Sequence, residues 1–379
     1  MDKLITAANK KFAANDGQRK ILALDGGGIR GVLTLEILKE MDTRLAKELK
    51  RGDYFDFIGG TSTGSIIAAG LATGMKVDTL LGFYQEKGEA MFKKTIFRKP
   101  RHTYKHIPLE KELKETFGEG DIDIESGQFK SLLLAVTMNR TNDSPWPICN
   151  IPWMKYNDSK RSDCNLRIPL YKLVRASTAA PTYFKEEKIM VNPNDEKRGF
   201  DFVDGGVTPY NNPAFLMYRM ATQEAYKLEW KTGEKKLLIV SVGTRSADSP
   251  KAYHNLFSTA LKIPGSLMYA MQVDQDINCR TVGRCVFGAE IDRELMDMIP
   301  RKQDGSPESP EKDTGKNFSY IRYNADLSTK GLLELGFPDY KSREIREMDK
   351  VKNIEKLRYI GKATARIQLN VKDHFVNFL

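Results

Sequence analysis

The stretch ILALDGGGIRGVLTLEIL, Ile21–Leu38, decides the fold class of this chain. Its four leading apolar residues end at Asp25, just before a turn of glycines, which is typical of a short buried strand. From Val32 onward apolar residues recur every three or four positions as far as Leu49, a pattern that predicts an amphipathic helix closed by Gly52. A strand that passes through a glycine turn into a helix indicates an α/β fold with a parallel sheet.

The same order of elements then repeats along the chain. Tyr54–Gly60 is predicted to be a second strand, and Ser65–Gly74 a helix of small and branched residues that lies close against it. Further predicted strands are Lys130–Thr137, Phe200–Val203 and Leu237–Val242, and further predicted helices are Leu170–Ser177, Pro213–Leu228, Tyr253–Ile277 and Lys341–Asn370. We therefore expect one α/β domain over residues 18–330 and a C-terminal helical extension, residues 331–379, packed on it.

One internal segment has the composition of a mobile loop. Arg301–Asn317 lacks apolar residues and is rich in proline, glycine, serine and charge. The sequence FSYIRYNADL, which follows it, resumes a strand pattern, so the segment is predicted to be a loop within the domain rather than a linker between domains.

Composition limits the classes of function. The 379 residues carry a net charge of +10, which favours an anionic partner such as nucleic acid, a lipid surface or a phosphate-bearing ligand. The sequence contains neither an apolar run long enough to cross a membrane nor a secretory signal. Four scattered cysteines without a CxxC pair are typical of reduced thiols in a cytoplasmic protein and give no sign of a metal site.

The first glycine turn fits a dinucleotide site in its spacing. Gly26, Gly28 and Gly31 match G-x-G-x-x-G between a strand and a helix, as the dinucleotide-binding fingerprint requires. However, Asp25 would lie beside the pyrophosphate, and an acidic residue for the ribose at the end of the second strand is poorly supported. A nucleotide-binding oxidoreductase therefore stays as an alternative that leaves other motifs unexplained.

The next turn carries a candidate nucleophile. The pentapeptide GTSTG, Gly60–Gly64, is a G-x-S-x-G between a predicted strand and a predicted helix. In such a nucleophile elbow the glycines permit a tight turn that exposes the serine, here Ser62, at the head of a helix. The unpaired N–H groups and the positive dipole end of that helix favour an oxyanion.

A serine nucleophile needs a base, and the chain offers two kinds. The four histidines do not lie in tight turns, and a Ser–His arrangement through His254 is a minor alternative. Asp204, in FDFVDGGV, follows a short predicted strand and precedes Gly205 and Gly206. A partly desolvated carboxylate there could have a pKa high enough to accept the serine proton. The competing interpretation is an ordinary Asp-Gly turn.

Together these motifs predict the parts of an active site for acyl transfer. The N–H groups of Gly27 and Gly28 would stabilise a tetrahedral oxyanion, Ser62 would attack, and Asp204 would take the proton. Arg30 would either steady the glycine loop, attract an anionic lipid headgroup, or cap a carbonyl at the surface.

The three motifs DGGGIRG, GTSTG and DGG, in this order, resemble those of the patatin-like phospholipases. The similarity extends to VRASTAAPTYF, Val174–Phe184, and to FSYIRYNADL, and covers roughly Ile21–Leu327. It implies a three-layer α/β/α fold with a mostly parallel central sheet and C-terminal helical additions. It also implies a Ser62–Asp204 dyad, an oxyanion hole at Gly27 and Gly28, and hydrolysis of membrane phospholipid acyl esters without metal or cofactor.

The chain also resembles the bacterial patatin-like enzymes that act in cyclic-nucleotide anti-phage signalling. This resemblance implies a cyclic di- or trinucleotide activator and a cytoplasmic protein that contacts anionic membrane peripherally when active. A homo-oligomer is a further expectation. The basic segment Lys93–His106 could bind ligand phosphates, lie on an anionic bilayer, or be a solvated loop over the active site. A constitutive patatin-like lipase or esterase is the alternative function. The sequence lacks zinc spacing, a helix-turn-helix pattern and an RNA-binding aromatic box, so a nucleic acid polymer is not an expected partner.

Overall fold

The computed structural model describes residues 11–13, 17–49, 54–91, 106–124, 127–181, 183–190, 199–244 and 256–379. Within these ranges nine strands form one sheet. The strands are β1 Arg19–Leu24, β2 Phe57–Thr61, β3 Leu132–Asn139, β4 Ser144–Cys149, β5 Glu187–Met190, β6 Gly199–Asp204, β7 Leu237–Val242, β8 Arg284–Phe287 and β9 Ser319–Tyr323.

The centre of the sheet is parallel and one end is antiparallel. The spatial order is β5-β6-β3-β2-β1-β7-β9-β8, and β4 pairs with β3. The pairs from β3 through β2, β1, β7 and β9 to β8 are parallel, whereas β4 and β6 run antiparallel to β3 and β5 runs antiparallel to β6. The carboxyl ends of the parallel strands therefore meet at one edge, where ligands bind in such sheets.

Helices cover both faces of this sheet. They are α1 Gly31–Leu49, α2 Thr63–Ala72, α3 Val77–Met91, α4 His106–Phe117, α5 Leu170–Ser177, α6 Ala214–Thr222, α7 Leu256–Val282, α8 Thr329–Glu334, α9 Ser342–Ile345, α10 Ile354–Gln368 and α11 Val371–His374. Every residue of β2, β7 and β9 is buried, as expected for strands with a helix layer on each side. The three-layer α/β/α fold implied by the sequence is confirmed.

The C-terminal region packs against the first helix. Helix α10 lies on α1, where Arg358 Nε donates to Glu36 Oε1 at 2.6 Å and Gly361 approaches the Leu33 carbonyl closely. The expected boundary between residues 330 and 331 falls inside α8. Ser328 caps that helix by accepting the Gly331 N–H at 3.0 Å, so the two sides of the boundary form one element.

Several predicted elements differ in extent or were missed. The single helix expected over Lys341–Asn370 is broken into α9, a short 3₁₀ turn and α10, and the helix expected over Pro213–Leu228 ends at Thr222. Residues 253–255 of the helix predicted over Tyr253–Ile277 lie outside the described residues, and α7 continues to Val282. The strands β4, β5 and β8 and the helices α3 and α4 were not predicted.

The segment expected to be a mobile loop, Arg301–Asn317, is tied to the sheet by a buried ion pair. Arg284 on β8 donates to Glu234 at 3.1 Å and to the Ser309 carbonyl at 2.8 Å. Glu234 also accepts the N–H groups of Thr314 and Lys316, each at 2.9 Å. A composition without apolar residues did not reveal this anchoring, because the loop supplies mainly its backbone groups.

Candidate active site

Ser62 lies in a strained turn between β2 and α2. Its φ of 54° and ψ of −125° belong to a region that non-glycine residues rarely occupy. Such a conformation costs about 1–3 kcal/mol and persists only where the surroundings enforce it. The surroundings are tight here, because a Cβ on Gly60 would overlap the Gly64 carbonyl and a Cβ on Gly64 would overlap the Leu24 carbonyl. The structure thus places the GTSTG motif in a nucleophile elbow.

The backbone of Ser62 is fixed from two sides. Its N–H donates to Ser177 Oγ at 3.0 Å, and Ser177 Oγ donates in turn to the Val136 carbonyl at 2.7 Å. Its carbonyl accepts both the Ser65 hydroxyl at 2.6 Å and the Ser65 N–H at 2.8 Å. The position of the Ser62 side chain is therefore set by β3, α5 and the first turn of α2.

The sheet register brings Asp204 to Ser62. Strand β2 ends with Thr61 opposite Val136, and β6 ends with Asp204 opposite Thr137, the next residue of β3. Because β4 pairs with β3 along this whole stretch, β2 and β6 must share the other side of β3. They approach from opposite directions and end against each other, so Ser62 and Asp204 meet at the junction.

The two side chains are hydrogen-bonded. Ser62 Oγ donates to Asp204 Oδ2 at 2.6 Å, and the Gly206 N–H donates to Asp204 Oδ1 at 2.7 Å. Asp204 is 5% exposed. Burial raises the pKa of its carboxyl to about 6, although the bonds from Ser62 and Gly206 and the nearby charge of Arg175 act in the opposite direction. The carboxyl can therefore both accept and release a proton near neutral pH.

The glycine loop that follows β1 presents backbone donors beside this pair. Gly28 has a φ of +60°, and a Cβ on Gly28 would overlap the Met348 carbonyl. Among the described residues, neither the Gly27 N–H nor the Gly28 N–H has a hydrogen-bond partner, whereas the next N–H, of Ile29, donates to the Met348 carbonyl at 2.8 Å. The segment around Met348 thus packs against one side of the loop. The N–H groups of Gly27 and Gly28, which are the two predicted oxyanion donors, have no hydrogen-bond partner in the described part of the chain.

Contacts on the inner side hold the loop in place. Arg30 is 3% exposed, and its Nε donates to the Gly27 carbonyl at 3.2 Å. Thr244 Oγ1 donates to the Gly26 carbonyl at 2.6 Å. Of the three alternatives for Arg30, the structure agrees with the one in which it steadies the loop, and the alternative of a surface arginine is wrong because the side chain is enclosed.

Asp25 forms a buried ion pair with Arg322. Its Oδ1 and Oδ2 accept hydrogen bonds from the two terminal nitrogens of Arg322, at 2.9 and 2.6 Å. Both side chains are buried. The pair joins the end of β1 to β9, and a pyrophosphate beside Asp25 would face a carboxylate already fixed in the core.

The remaining predicted residues line the same junction. A Cβ on Gly26 would lie 3.1 Å from the Ser62 Cβ, and one on Gly31 would overlap the Thr63 hydroxyl, which brings the first turns of α1 and α2 together. A Cβ on Gly205 would overlap the Val136 carbonyl. The structure thus gathers all three motifs at the carboxyl edge of the sheet.

The histidines do not supply a base to Ser62 in the described part of the chain. His374 Nδ1 bonds the Tyr323 hydroxyl at 2.7 Å, and burial lowers the pKa of the imidazole to about 4. His102 and His254 lie outside the described residues, as does most of the basic segment Lys93–His106; His106 begins α4.

Three residues of the site were not singled out from the sequence. Ser177 fixes the Ser62 N–H, Arg322 fixes Asp25, and Asn211 has its side chain beside both Gly26 and Gly206. Arg322 could have been noticed as a lone charge within the apolar strand pattern of FSYIRY. Asn211 stands in an Asn-Asn-Pro sequence just after the DGG motif, which is a weak signal on its own.

A serine on a strand–turn–helix elbow at the edge of a mostly parallel sheet is typical of hydrolases with a serine nucleophile. In this chain a buried carboxylate accepts the hydrogen bond of that serine directly. Comparison with known proteins narrows the class. The family model for patatin-like phospholipases matches residues 22–218, more than half of the chain. The chain therefore belongs to the patatin-like phospholipase family, and it is an acyl-ester hydrolase.

Individual known proteins are similar to this chain. The protein Patatin-1-Kuras 2 of Solanum tuberosum is 26% identical over 292 residues, which cover 72% of this chain and 74% of the relative. Patatin-01 of the same plant is 26% identical over 72% of each chain. Among solved structures, VipD from Legionella pneumophila is similar with a TM-score of 0.33 and 12% identity, over 91% of this chain and 67% of that one.

Proposed function

We propose that this chain is a phospholipase of the A type that hydrolyses membrane phospholipid acyl esters through a Ser62–Asp204 dyad. The observation that carries the proposal is the 2.6 Å bond from Ser62 Oγ to Asp204 Oδ2 on a strained elbow. A base with a pKa of about 6 is ionised at neutral pH and is still basic enough to receive a proton as the serine attacks.

The first half of the reaction follows from this geometry. Asp204 takes the Ser62 proton while Oγ attacks the acyl carbonyl carbon, and the N–H groups of Gly27 and Gly28 stabilise the oxyanion. As the intermediate collapses, the bond to the lysolipid oxygen breaks and Asp204 gives its proton to that oxygen. Removal of one oxyanion donor typically costs about 10²- to 10³-fold in rate, so the two free N–H groups matter to the mechanism.

Apolar side chains near the dyad support a lipid substrate. Val207 directly follows the DGG motif and is 38% exposed. Met268 on α7 is half-buried, and a Cβ on Gly206 would lie 3.0 Å from its Cε. These groups offer an apolar approach for an acyl chain from a bilayer, where a peripheral enzyme finds its substrate.

The test is release of fatty acid from mixed phosphatidylcholine and phosphatidylglycerol vesicles. Ser62→Ala and Asp204→Asn should each lower the rate by at least about 10³-fold. Asp201→Asn is a matched control, because Asp201 is an exposed carboxylate on the same strand. Release by Ser62→Ala equal to that of the wild type would contradict the proposal.

Activation by a cyclic di- or trinucleotide in bacterial anti-phage defence is a separate part of the proposal. Its support is the sequence resemblance and the basic, aromatic-containing segment Lys93–His106, whose side chains suit phosphates and bases. We expect the protein to be cytoplasmic and to reach the membrane when activated. The vesicle assay repeated with a panel of cyclic nucleotides tests this, and a rate that none of them changes would favour a constitutive lipase.

No helix in the described ranges is long and apolar enough to span a membrane.

A further inference from the structure

The peptide bond between Gly26 and Gly27 carries one of the two predicted oxyanion donors, the Gly27 N–H. This bond is trans, so its carbonyl, which belongs to Gly26, points in the direction opposite to the Gly27 N–H. A peptide unit between two glycines can flip at little steric cost, because neither residue has a Cβ. The direction of the Gly27 N–H is therefore decided by the group that holds the Gly26 carbonyl.

Thr244 holds this carbonyl through its side chain. Its Oγ1 donates to the Gly26 oxygen at 2.6 Å, and this is the only hydrogen bond to that oxygen among the described residues. Because Thr244 is 1% exposed, its hydroxyl is shielded from competing water. The side chain also lies against Gly27, where a Cβ would overlap Oγ1. One side chain thus fixes the orientation of the Gly26–Gly27 peptide.

The backbone that leads to Thr244 is itself fixed to the sheet. Gly243, the residue before it, donates its N–H to the Tyr323 carbonyl at 2.8 Å. Val242, the last residue of β7, accepts the Asp25 N–H at 3.2 Å. The branched side chain of threonine has few rotamers. The hydroxyl therefore reaches the glycine loop from a rigid position between β1 and β9.

The neighbouring donor, the Gly28 N–H, does not depend on a single side chain. The carbonyl of its peptide bond, which belongs to Gly27, accepts the Arg30 N–H at 3.3 Å as well as Arg30 Nε at 3.2 Å. The first of these bonds comes from the backbone and survives substitutions of Arg30 other than proline. Of the two predicted donors, the Gly27 N–H is thus the one whose direction relies on one hydroxyl.

We propose that Thr244 is a positioning residue of the oxyanion hole, an inference that rests on the proposed acyl transfer by the dyad. Its hydroxyl keeps the Gly26 carbonyl turned away from the reacting centre and the Gly27 N–H turned toward the oxyanion. Without the hydroxyl, the peptide flips in part of the molecules, and the Gly26 oxygen then repels the developing oxyanion. The ester carries little charge before the attack, so the transition state loses more stabilisation than the bound substrate does.

Thr244→Val tests this role, because valine keeps the shape of threonine and lacks the hydroxyl. On a short-chain nitrophenyl ester we expect kcat to fall about 10- to 100-fold, with KM within about twofold of the wild type. A trifluoromethyl ketone forms a charged tetrahedral adduct with an activated serine, and its Ki should rise by the factor by which kcat/KM falls. The ratio of Ki to KM does not depend on how much of a variant folds.

Thr244→Ser separates positioning from packing. Serine restores the hydroxyl, so kcat should stay within about threefold of the wild type. Serine also lacks the threonine methyl group, so a role in packing alone predicts that Thr244→Ser is impaired more than Thr244→Val. Thr73→Val is a matched control that should leave kcat unchanged. The Thr73 hydroxyl donates to the Ala69 carbonyl at 2.9 Å, at the end of α2 that lies away from Ser62.

Three results would overturn the inference. They are a wild-type kcat and ratio of Ki to KM in Thr244→Val, a loss of kcat that Thr244→Ser shares in full, and a rise in KM that accounts for the whole loss of kcat/KM. Turnover and ketone inhibition that survive in Ser62→Ala would instead overturn the proposed dyad, and the inference with it.

Discussion

The pH dependence of ester hydrolysis reports the state of Asp204 directly. The pKa of its carboxyl is raised from 3.8 to about 6, mainly because the group is desolvated by burial. A base with this pKa is about nine-tenths ionised at pH 7 and about one-tenth ionised at pH 5. Only the ionised form accepts the Ser62 proton, so kcat/KM should fall about tenfold between these pH values and level off above pH 7.

The measurement uses a soluble short-chain nitrophenyl ester, followed at the isosbestic wavelength of nitrophenol so that the signal itself does not change with pH. The kcat/KM profile gives the pKa of the free enzyme. A variant of Arg175 tests whether the environment of Asp204 sets this pKa. The buried Arg175 charge lowers the pKa of Asp204, so Arg175→Met should move the midpoint of the profile upward. A midpoint near 4, as for an exposed carboxylate, or a midpoint that Arg175→Met moves downward, would refute the reasoning.

Three substitutions extend the account to stability. Asp204→Asn should abolish turnover and should raise the free energy of unfolding at pH 8 by about 1–3 kcal/mol in urea titrations. The pKa of this carboxyl is about 6 in the folded protein and 3.8 in the unfolded chain, so its ionisation destabilises the folded state as the pH rises from 3.8 through 6. The amide of asparagine does not ionise and removes this loss. Gly28→Ala should lose about 1–3 kcal/mol, since a φ of +60° and contact with Met348 both oppose a Cβ, and kcat should fall at least tenfold. Arg322→Met should cost about 3–5 kcal/mol in the same titrations, because it leaves the Asp25 carboxylate buried without its partner.

Each expectation has an outcome that contradicts it. For Asp204→Asn, it is a stability gain that stays the same down to pH 3, where the wild-type carboxyl is neutral in both states. For Gly28→Ala, it is wild-type turnover in a folded variant. For Arg322→Met, it is a loss that the additional change Asp25→Asn does not reduce, since a neutral amide removes the unpaired charge.

The local signals in the sequence predicted the parallel core well. β1, β2 and β7, the helix after the glycine loop and the helix α5 all lie close to their predicted ranges, because their apolar periodicity and glycine turns act over short distances. A pairing of Ser62 with Asp204 was expected from two motifs far apart in the chain, and the structure shows a hydrogen bond between these two side chains. What joins them is the register of β2 and β6 against Val136 and Thr137, which becomes visible only in the assembled sheet.

Contacts between distant segments were beyond the reach of sequence patterns. The C-terminal wall at Met348 touches the glycine loop through its backbone carbonyl, so its residue type carries little information. The ion pair of Asp25 with Arg322 joins two strands that are separated by most of the chain. The short strands β4, β5 and β8 are held by neighbouring strands rather than by their own propensity, which explains why they were missed.

The central claim is that Ser62 is the nucleophile and that Asp204 activates it. The most direct measurement is intact-mass and peptide analysis after treatment with a fluorophosphonate, which phosphonylates activated serines with loss of fluoride. The account predicts one adduct, on Ser62, with a labelling rate that rises with pH around a midpoint of about 6 and falls at least about 10³-fold in Asp204→Asn. An adduct on another serine, or labelling of Ser62 at the same rate in Asp204→Asn, would contradict it.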